Sequence, residues 1–460
     1  MLAPTRKRLG LLVLALILAP AVGVSQTPVQ GVQLTVEQAQ MMAIRALRQN
    51  RPKLAYQLAG GVLKANPRDG RAHFTRALAF AKVGAHGFAR KSARRAYFSA
   101  ASPIQKYDAA QLASVEAFRD ERLTLSQLWL RRAVQHAPDD KVRSDSIHAY
   151  RNVRARNPLN FDLRFSVSPS DNVNNGANSP VNIIDGSPLV GRLSPSAQAI
   201  SGTVATTDLR LSYRLARSER SMTRLTGRAY SRKVQFNNAV AGLSADDLSS
   251  SRLELGVTHA ISGASGEGLW QVDAHGGRVW YADAPLYDYA RLGVKRHKHL
   301  TDNLRLSFGG GLERQRDETA PKNDSTLYDA FAQLSYTLDG GARLGAYVNV
   351  REVDSNGVNG ASTQWTGVVR YMMGQEVGPA RLSVSLGQSV VDYDRYTVFV
   401  PVPGGRRDDS VFGGVTATFH DWSYMGFVPT VSVRAEKSRS NISRFDVDET
   451  SLRLGIRSEF

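Results

Sequence analysis

The sequence predicts an α+β multidomain chain of two unlike halves: an N-terminal all-α helical array followed by a 14-stranded antiparallel transmembrane β-barrel. Three observations predict it. From Leu34 to Asn157 apolar residues recur with helical period on a background rich in Ala, Leu, Gln, Arg and Lys. Beyond Pro158 the composition shifts to Gly, Ser, Thr, Val, Arg and Tyr, and apolar and polar residues alternate with the period of a strand. Charge divides at the same place. Residues 35–157 hold 23 Lys+Arg against 9 Asp+Glu and residues 161–460 hold 33 against 32, so most of the net charge of +18 lies in the first half.

Residues 1–25 read as an export signal. Arg6, Lys7 and Arg8 form a positive start, Leu9 to Ala19 an apolar core, and Ala21, Gly23 and Ser25 supply small residues for cleavage. The apolar core is shorter than the ~20 residues of a permanent membrane-spanning helix. The chain has no cysteine, so it has neither a disulfide nor an acylation site. With no other long apolar run, residence in a membrane requires a closed barrel.

Residues 26–157 are expected to form the array. In TVEQAQMMAIRALRQN, Thr35 is placed to cap a helix and Gln38, three residues on, to complete a capping box. Breaks follow at Asn66-Pro67, Gly84, Ser102-Pro103 and Pro138-Asp139. Pro67 and Pro103 are 36 residues apart, Pro103 and Pro138 35, close to the ~34-residue period of tetratricopeptide repeats. Ala77, Gly84, Ala89 and Ala96 are small where paired helices must approach, though the first consensus indole of that repeat is missing. Such an array presents a concave surface rather than chemistry. Arg68, Arg71, Arg94 and Arg95, beside Lys64, Arg76 and Lys91, make it basic, and these four arginines are the expected contacts for an acidic client. The plainer alternative is a solvated basic face.

Residues 158–460 are expected to form the barrel, with strands at 160–168, 203–215, 221–235, 249–261, 267–281, 286–300, 303–317, 325–338, 342–354, 362–374, 378–393, 407–421, 425–440 and 445–460. In TDLRLSYRLA, Leu209, Leu211, Tyr213 and Leu215 alternate with Asp208, Arg210, Ser212 and Arg214. A soluble sandwich would bury the apolar face, whereas a membrane barrel turns it to lipid and fills the lumen with polar groups. Strand length, an alternation of short links (Thr301-Asp302, Asp339-Gly340) with long loops (169–202, 394–406), and aromatic residues near strand ends (Trp270, Trp280, Tyr287, Trp422) favour the barrel. Arg210, Arg214, Arg305, Arg343, Arg370 and Glu313 are the expected lumen residues. The closing SLRLGIRSEF is a strand that pairs with the first one, and Gly455, Ile456 and Phe460 resemble the C-terminal signal that barrel-insertion machinery reads.

The junction RNPLNFDLRFSVSPSDNVNNGA, with Pro169, Ser170, Asp171, Asn172, Asn174, Asn175 and Ala177 in its loop, resembles that of the surface lipoprotein assembly modifier (Slam) family, as does the order of leader, repeat array and barrel. The resemblance implies an outer-membrane translocator with its helical domain in the periplasm. Its expected partners are a lipoprotein or secreted protein client, outer-membrane lipid and the barrel assembly machinery, with no nucleic acid and no cofactor or metal. An exopolysaccharide export porin with tetratricopeptide repeats is the alternative, and a passive porin is the plainest one. No enzyme is expected: neither a Gly-x-Ser-x-Gly elbow nor a phosphate-binding loop is present. His259, His297, His299 and His420 are read as lumen or rim residues rather than ligands or catalysts.

Overall fold

The computed structural model describes residues 33–188, 190–263 and 268–458; the expected export signal and Phe460 lie outside them. Seven helices come first: α1 (Val36–Arg48), α2 (Pro52–Ala65), α3 (Gly70–Lys82), α4 (His86–Phe98), α5 (Pro103–Arg119), α6 (Leu123–Gln135) and α7 (Asp140–Arg156). Their starts are set locally. Thr35 and Gln38 make the capping box, with reciprocal bonds of 3.2 and 3.0 Å. Asp69, Ser102 and Asp139 cap α3, α5 and α7, and Pro52 and Pro103 occupy first turns, where no N–H is needed. Two breaks lack the glycine that usually marks one: Asn50 and Glu121 turn the chain in the left-handed region, at φ 55° and 54°.

Helices pack as antiparallel neighbours through fully buried alanines, among them Ala55, Ala77, Ala89, Ala93, Ala113 and Ala133, because a methyl group lets backbones approach closely. In the core shared by α3 to α6, Tyr97 meets Trp129 edge-on at 5.5 Å.

Sixteen strands follow: β1 (Leu159–Ser170), β2 (Val181–Ile183), β3 (Val190–Arg192), β4 (Gly202–Arg217), β5 (Ser221–Phe236), β6 (Ser250–Ser262), β7 (Leu269–Tyr281), β8 (Ala284–His299), β9 (Leu304–Asp317), β10 (Ser325–Thr337), β11 (Arg343–Ser355), β12 (Ser362–Met372), β13 (Arg381–Tyr393), β14 (Arg406–Thr418), β15 (Phe427–Ser440) and β16 (Val447–Ser458). Fourteen close an antiparallel barrel, β4 to β16 in sequence order with β1 between β16 and β4; β2 and β3 form a separate hairpin in the 171–201 loop. The outer face is apolar: Leu211, Leu255, Leu292, Val348, Leu386 and Leu454 are exposed along it, while Asp208, Asp273 and Tyr289 on the opposite face are buried. The polar face therefore lines the lumen, the arrangement that suits lipid outside and polar groups within.

The loops depart from the expected alternation: links 373–380 and 419–426 on the array side are longer than the remote loops 356–361 and 441–446. Residues 282 and 283 join β7 to β8 directly at the end remote from the array, where long loops were expected. Ala282 and Asp283, at φ 51° and 60°, make the two-residue turn whose twist matches the strands.

Candidate functional site

The inner face of the array holds an apolar groove of about 430 Å³. Ile44 and Leu47 of α1, Phe74 and Leu78 of α3, and Ala96 and Ala100 from α4 and its end line it, with Arg48 and Arg71 at its edge and Asp108 of α5 within. Burial raises the Asp108 carboxyl above the usual carboxylate range. Of the four expected client contacts, only Arg71 lines this groove. Arg68 sits in the turn before α3, its N–H donating to Asn66 Oδ1 at 3.1 Å. Arg94 and Arg95 are on α4, with Arg94 5.9 Å from the Phe98 ring. The spacing of basic residues in sequence did not reveal which helix faces the groove.

The array is bolted to one mouth of the barrel. Arg131 of α6, 5% exposed, donates to Met425 O at 2.9 Å, Tyr150 OH at 3.0 Å and Ser458 Oγ at 2.8 Å, and lies 5.0 Å from the Phe427 ring. Met425 N donates to Gln135 Oε1 at 2.8 Å. On the other side Arg214 donates to the carbonyls of Ala155 and Arg156, at 3.0 and 2.6 Å. Arg214, expected in the lumen, thus caps the end of α7, meeting carbonyls that a helix terminus leaves unpaired. Arg131 escaped sequence reading; a charged residue at an apolar position of α6 is its only trace.

Within the barrel the expected lumen residues scatter. Arg210 pairs with Asp208 at 2.9 Å, and Arg228 joins the same carboxylate at 2.8 and 3.0 Å. Arg343 and Arg370 share a recess of about 510 Å³ with Gln333, Ser335 and Tyr347. Glu313 accepts from Gln315 at 2.6 Å, and Arg305 stands two residues before Ser307, the partner of His297 at 2.9 Å. A second network went unforeseen. His275 lies between Glu254 (3.6 Å) and Asp273 (3.5 Å), Lys295 is 3.5 Å from Asp273, and Tyr289 OH donates to Glu254 at 2.5 Å. Its signal was the alternation of Asp273 and His275 on β7. The opposite charges of this network lie close together, while buried Asp273 Oδ1 and His275 Nδ1 make no hydrogen bond among the described residues. Among the described residues no cluster of three or more metal-ligating side chains occurs. His259 is occupied by Thr223 at 2.8 Å.

The asparagine-rich loop after β1 is tied at the far mouth. Asn172 exchanges two bonds with Gly176 (2.9 and 2.8 Å), and Asn174 bonds the Gln198 carbonyl and the Ile200 N–H. Asp171 Oδ1 accepts from Thr450 N at 2.9 Å and Ser170 Oγ donates to Glu449 at 2.9 Å, fastening the loop across β1 and β16. Beyond it, Ile184 packs with Val402 and Ile442 from two other loops.

Fold and site together define a transmembrane β-barrel of fourteen strands carrying an all-α helical array at one mouth. No family model matches the chain, and no curated protein matches it. Among solved structures the chain is similar to SycD, the type III secretion translocator chaperone of Yersinia enterocolitica, over 27% of this chain and 88% of that one (11% identity, TM-score 0.25). It is also similar to the outer membrane protein OmpT of Vibrio cholerae, over 65% and 97% (13% identity, TM-score 0.33). A third is the COG4313 outer membrane channel of Pseudomonas putida F1, over 65% and 94% (12% identity, TM-score 0.32).

Proposed function

We propose that this protein is an outer-membrane translocator of the Slam kind, which helps deliver a surface lipoprotein or related secreted protein across the outer membrane. The helical array engages the client in the periplasm and the barrel permits its exit. One observation carries the reading: a helical array with an apolar, arginine-edged groove is docked on one mouth of the barrel, through Arg131 on α6 and Arg214 at the end of α7. A pore for small solutes has no use for an attached domain with a peptide-sized apolar groove.

The test is surface exposure of a candidate lipoprotein client in cells carrying the full chain, a Phe74→Glu/Leu78→Glu groove variant, or residues 158–460 alone. Exposure should require the intact groove. Equal exposure from residues 158–460 alone overturns the division of labour, and a response of surface polysaccharide but of no protein replaces the reading with polysaccharide export.

A further inference from the structure

The near balance of charge in the barrel half, 33 Lys+Arg against 32 Asp+Glu, is not kept along the lumen wall. On β11 the outward Leu344 and Val348 alternate with Arg343 and Tyr347, on β12 Val369 and Tyr371 alternate with Arg370, and on β13 Val384 and Leu386 alternate with Arg381 and Ser385. On β9 Phe308 and Leu312 face outward and Arg305 inward. Four arginines therefore stand on the lumen face close to the strand ends nearest the array. Among the described residues none of the four makes a hydrogen bond or an ion pair, and the buried Nε of Arg381 has no partner. Arg305, Arg343 and Arg370 are exposed, so their charges stand in the water-accessible lumen.

The ladder sets their spacing. Arg305 pairs with Ser335, Ser335 with Gly345, Gly345 with Arg370 and Arg370 with Ser385, one row around the wall. Arg343 is two residues from Gly345, which makes it a diagonal neighbour of Arg370 at about 7–8 Å. The two share the recess of about 510 Å³ with Gln333, Ser335 and Tyr347. Like charges so close repel, and an anion between them relieves the repulsion, with amide and hydroxyl groups beside it to complete its hydrogen bonds. Carboxylates are placed elsewhere. Asp329, toward the middle of β10, meets Arg291 at 3.4 Å and faces Arg351 across the ladder, and Glu436 meets Arg434 at 2.8 Å. Asp302, Asp339 and Glu376 are exposed in links beyond the strand ends, where water and salt screen them. The bonds that fasten the array reach β4, β16 and the turn before β15, so the arginines stand at the part of the mouth away from those bonds.

We propose that the barrel is an anion-selective pore, in which Arg343 and Arg370 form a station for a small soluble oxyanion, a phosphate or a carboxylate, on its way through. Fixed cationic side chains between low-dielectric walls concentrate anions and exclude cations, as charged rings do in selective pores. Guanidinium groups suit oxyanions because their forked N–H donors match two oxygens at once. The inference does not rest on the translocator reading: ion selectivity and client exposure are measured separately, and either can fail alone.

The test is the current carried by the full chain in planar lipid bilayers under a gradient of KCl. The reversal potential should have the sign set by chloride, with chloride favoured over potassium about tenfold, the low end of what a charged cleft does to local ion concentration, and the preference should weaken as salt is raised. Arg343→Gln/Arg370→Gln should lower the preference several-fold, and Arg343→Glu/Arg370→Glu should turn it toward potassium. Inorganic phosphate added to the bath should reduce the chloride current of the unsubstituted chain and leave that of the Gln variant unchanged. Lys437→Gln, on the outer face of β15, should alter neither reading. Heat-modifiable mobility of each variant reports that its barrel has folded. Absence of conductance from the folded full chain, a reversal potential near zero or set by potassium, or a chloride preference that survives both substitutions overturns the pore. Phosphate that fails to reduce the current, or that reduces it equally in the Gln variant, overturns the station at Arg343 and Arg370.

Discussion

At the scale of single residues, Arg131 concentrates the most consequence. A guanidinium removed from water is tolerated only when its donors are met, and here a tyrosine hydroxyl, a serine hydroxyl and a turn carbonyl meet them while two aromatic rings lie against its plane. Arg131→Ala should weaken the docking of array on barrel by about 2–3 kcal/mol, the value of hydrogen bonds to a charged group, and Arg131→Lys should recover part of it. Faster amide exchange in α6 and in residues 419–426 of the full chain is the measurement; unchanged protection contradicts the role. His73 gives a pH dependence. Burial holds its imidazole below the ordinary value of 6.5, with the Arg95 charge acting the same way against the opposing Pro67 carbonyl. The unfolded chain therefore takes up a proton more readily than the folded one. Stability is complete above pH 6.5 and is lost as pH falls toward the lower folded value, at no more than about 1.4 kcal/mol per pH unit. His136, lowered by burial and by Lys106, adds in the same direction. Protection of α3 amides should decline below pH 6.5, and His73→Gln should flatten the decline.

At the scale of elements, β16 both closes the barrel and holds the array. Ile456 faces outward at the last partnership with Phe165, and a Cβ on Gly455 would stand 2.9 Å from Thr430 Oγ1 and 3.2 Å from the Phe165 carbonyl. A side chain there must displace the Thr430 hydroxyl on β15 and crowd the Phe165 carbonyl on β1. Ile456→Asp should reduce membrane levels and heat-modifiable mobility, because a charge facing lipid costs up to about 2–4 kcal/mol at mid-membrane and less for an acidic residue near the rim. Deletion of Phe460 should act in the same direction if the chain's end is read during insertion. Normal levels of both variants would contradict an assembly role for this strand.

At the scale of the whole molecule, the charge division acquires a geometry. The surplus of basic residues sits on the array, docked at one mouth, while inside the barrel carboxylates such as Asp208 are paired with arginines. Reversal of Arg68, Arg71, Arg94 and Arg95 to Glu should slow client capture and remove its salt dependence, because long-range steering scales with net charge and is screened by salt. Barrel assembly should be unaffected. The same topology predicts that protease added to intact cells cuts loop 394–405 and spares the array; digestion of the array from outside would place it on the wrong side of the membrane.

The sequence by itself determined the two halves, the capping of α1 by Thr35 and Gln38, and all fourteen barrel strands, because capping and face alternation are local properties written in neighbouring residues. It also carried the pull of the apolar face toward lipid, since no soluble core could hide so many outward leucines and valines. Asn50 and Glu121 were not legible as breaks, because left-handed turns at such residues are imposed by the packing of the helices they join. Only the tertiary structure decided that Arg71 lines the groove while Arg68 does not, that Arg214 caps a helix, and that Arg131 bolts α6 to the end of β16. Each of these joins segments far apart in the chain, such as Arg131 with Ser458, and periodicity along one segment carries no information about its distant partner.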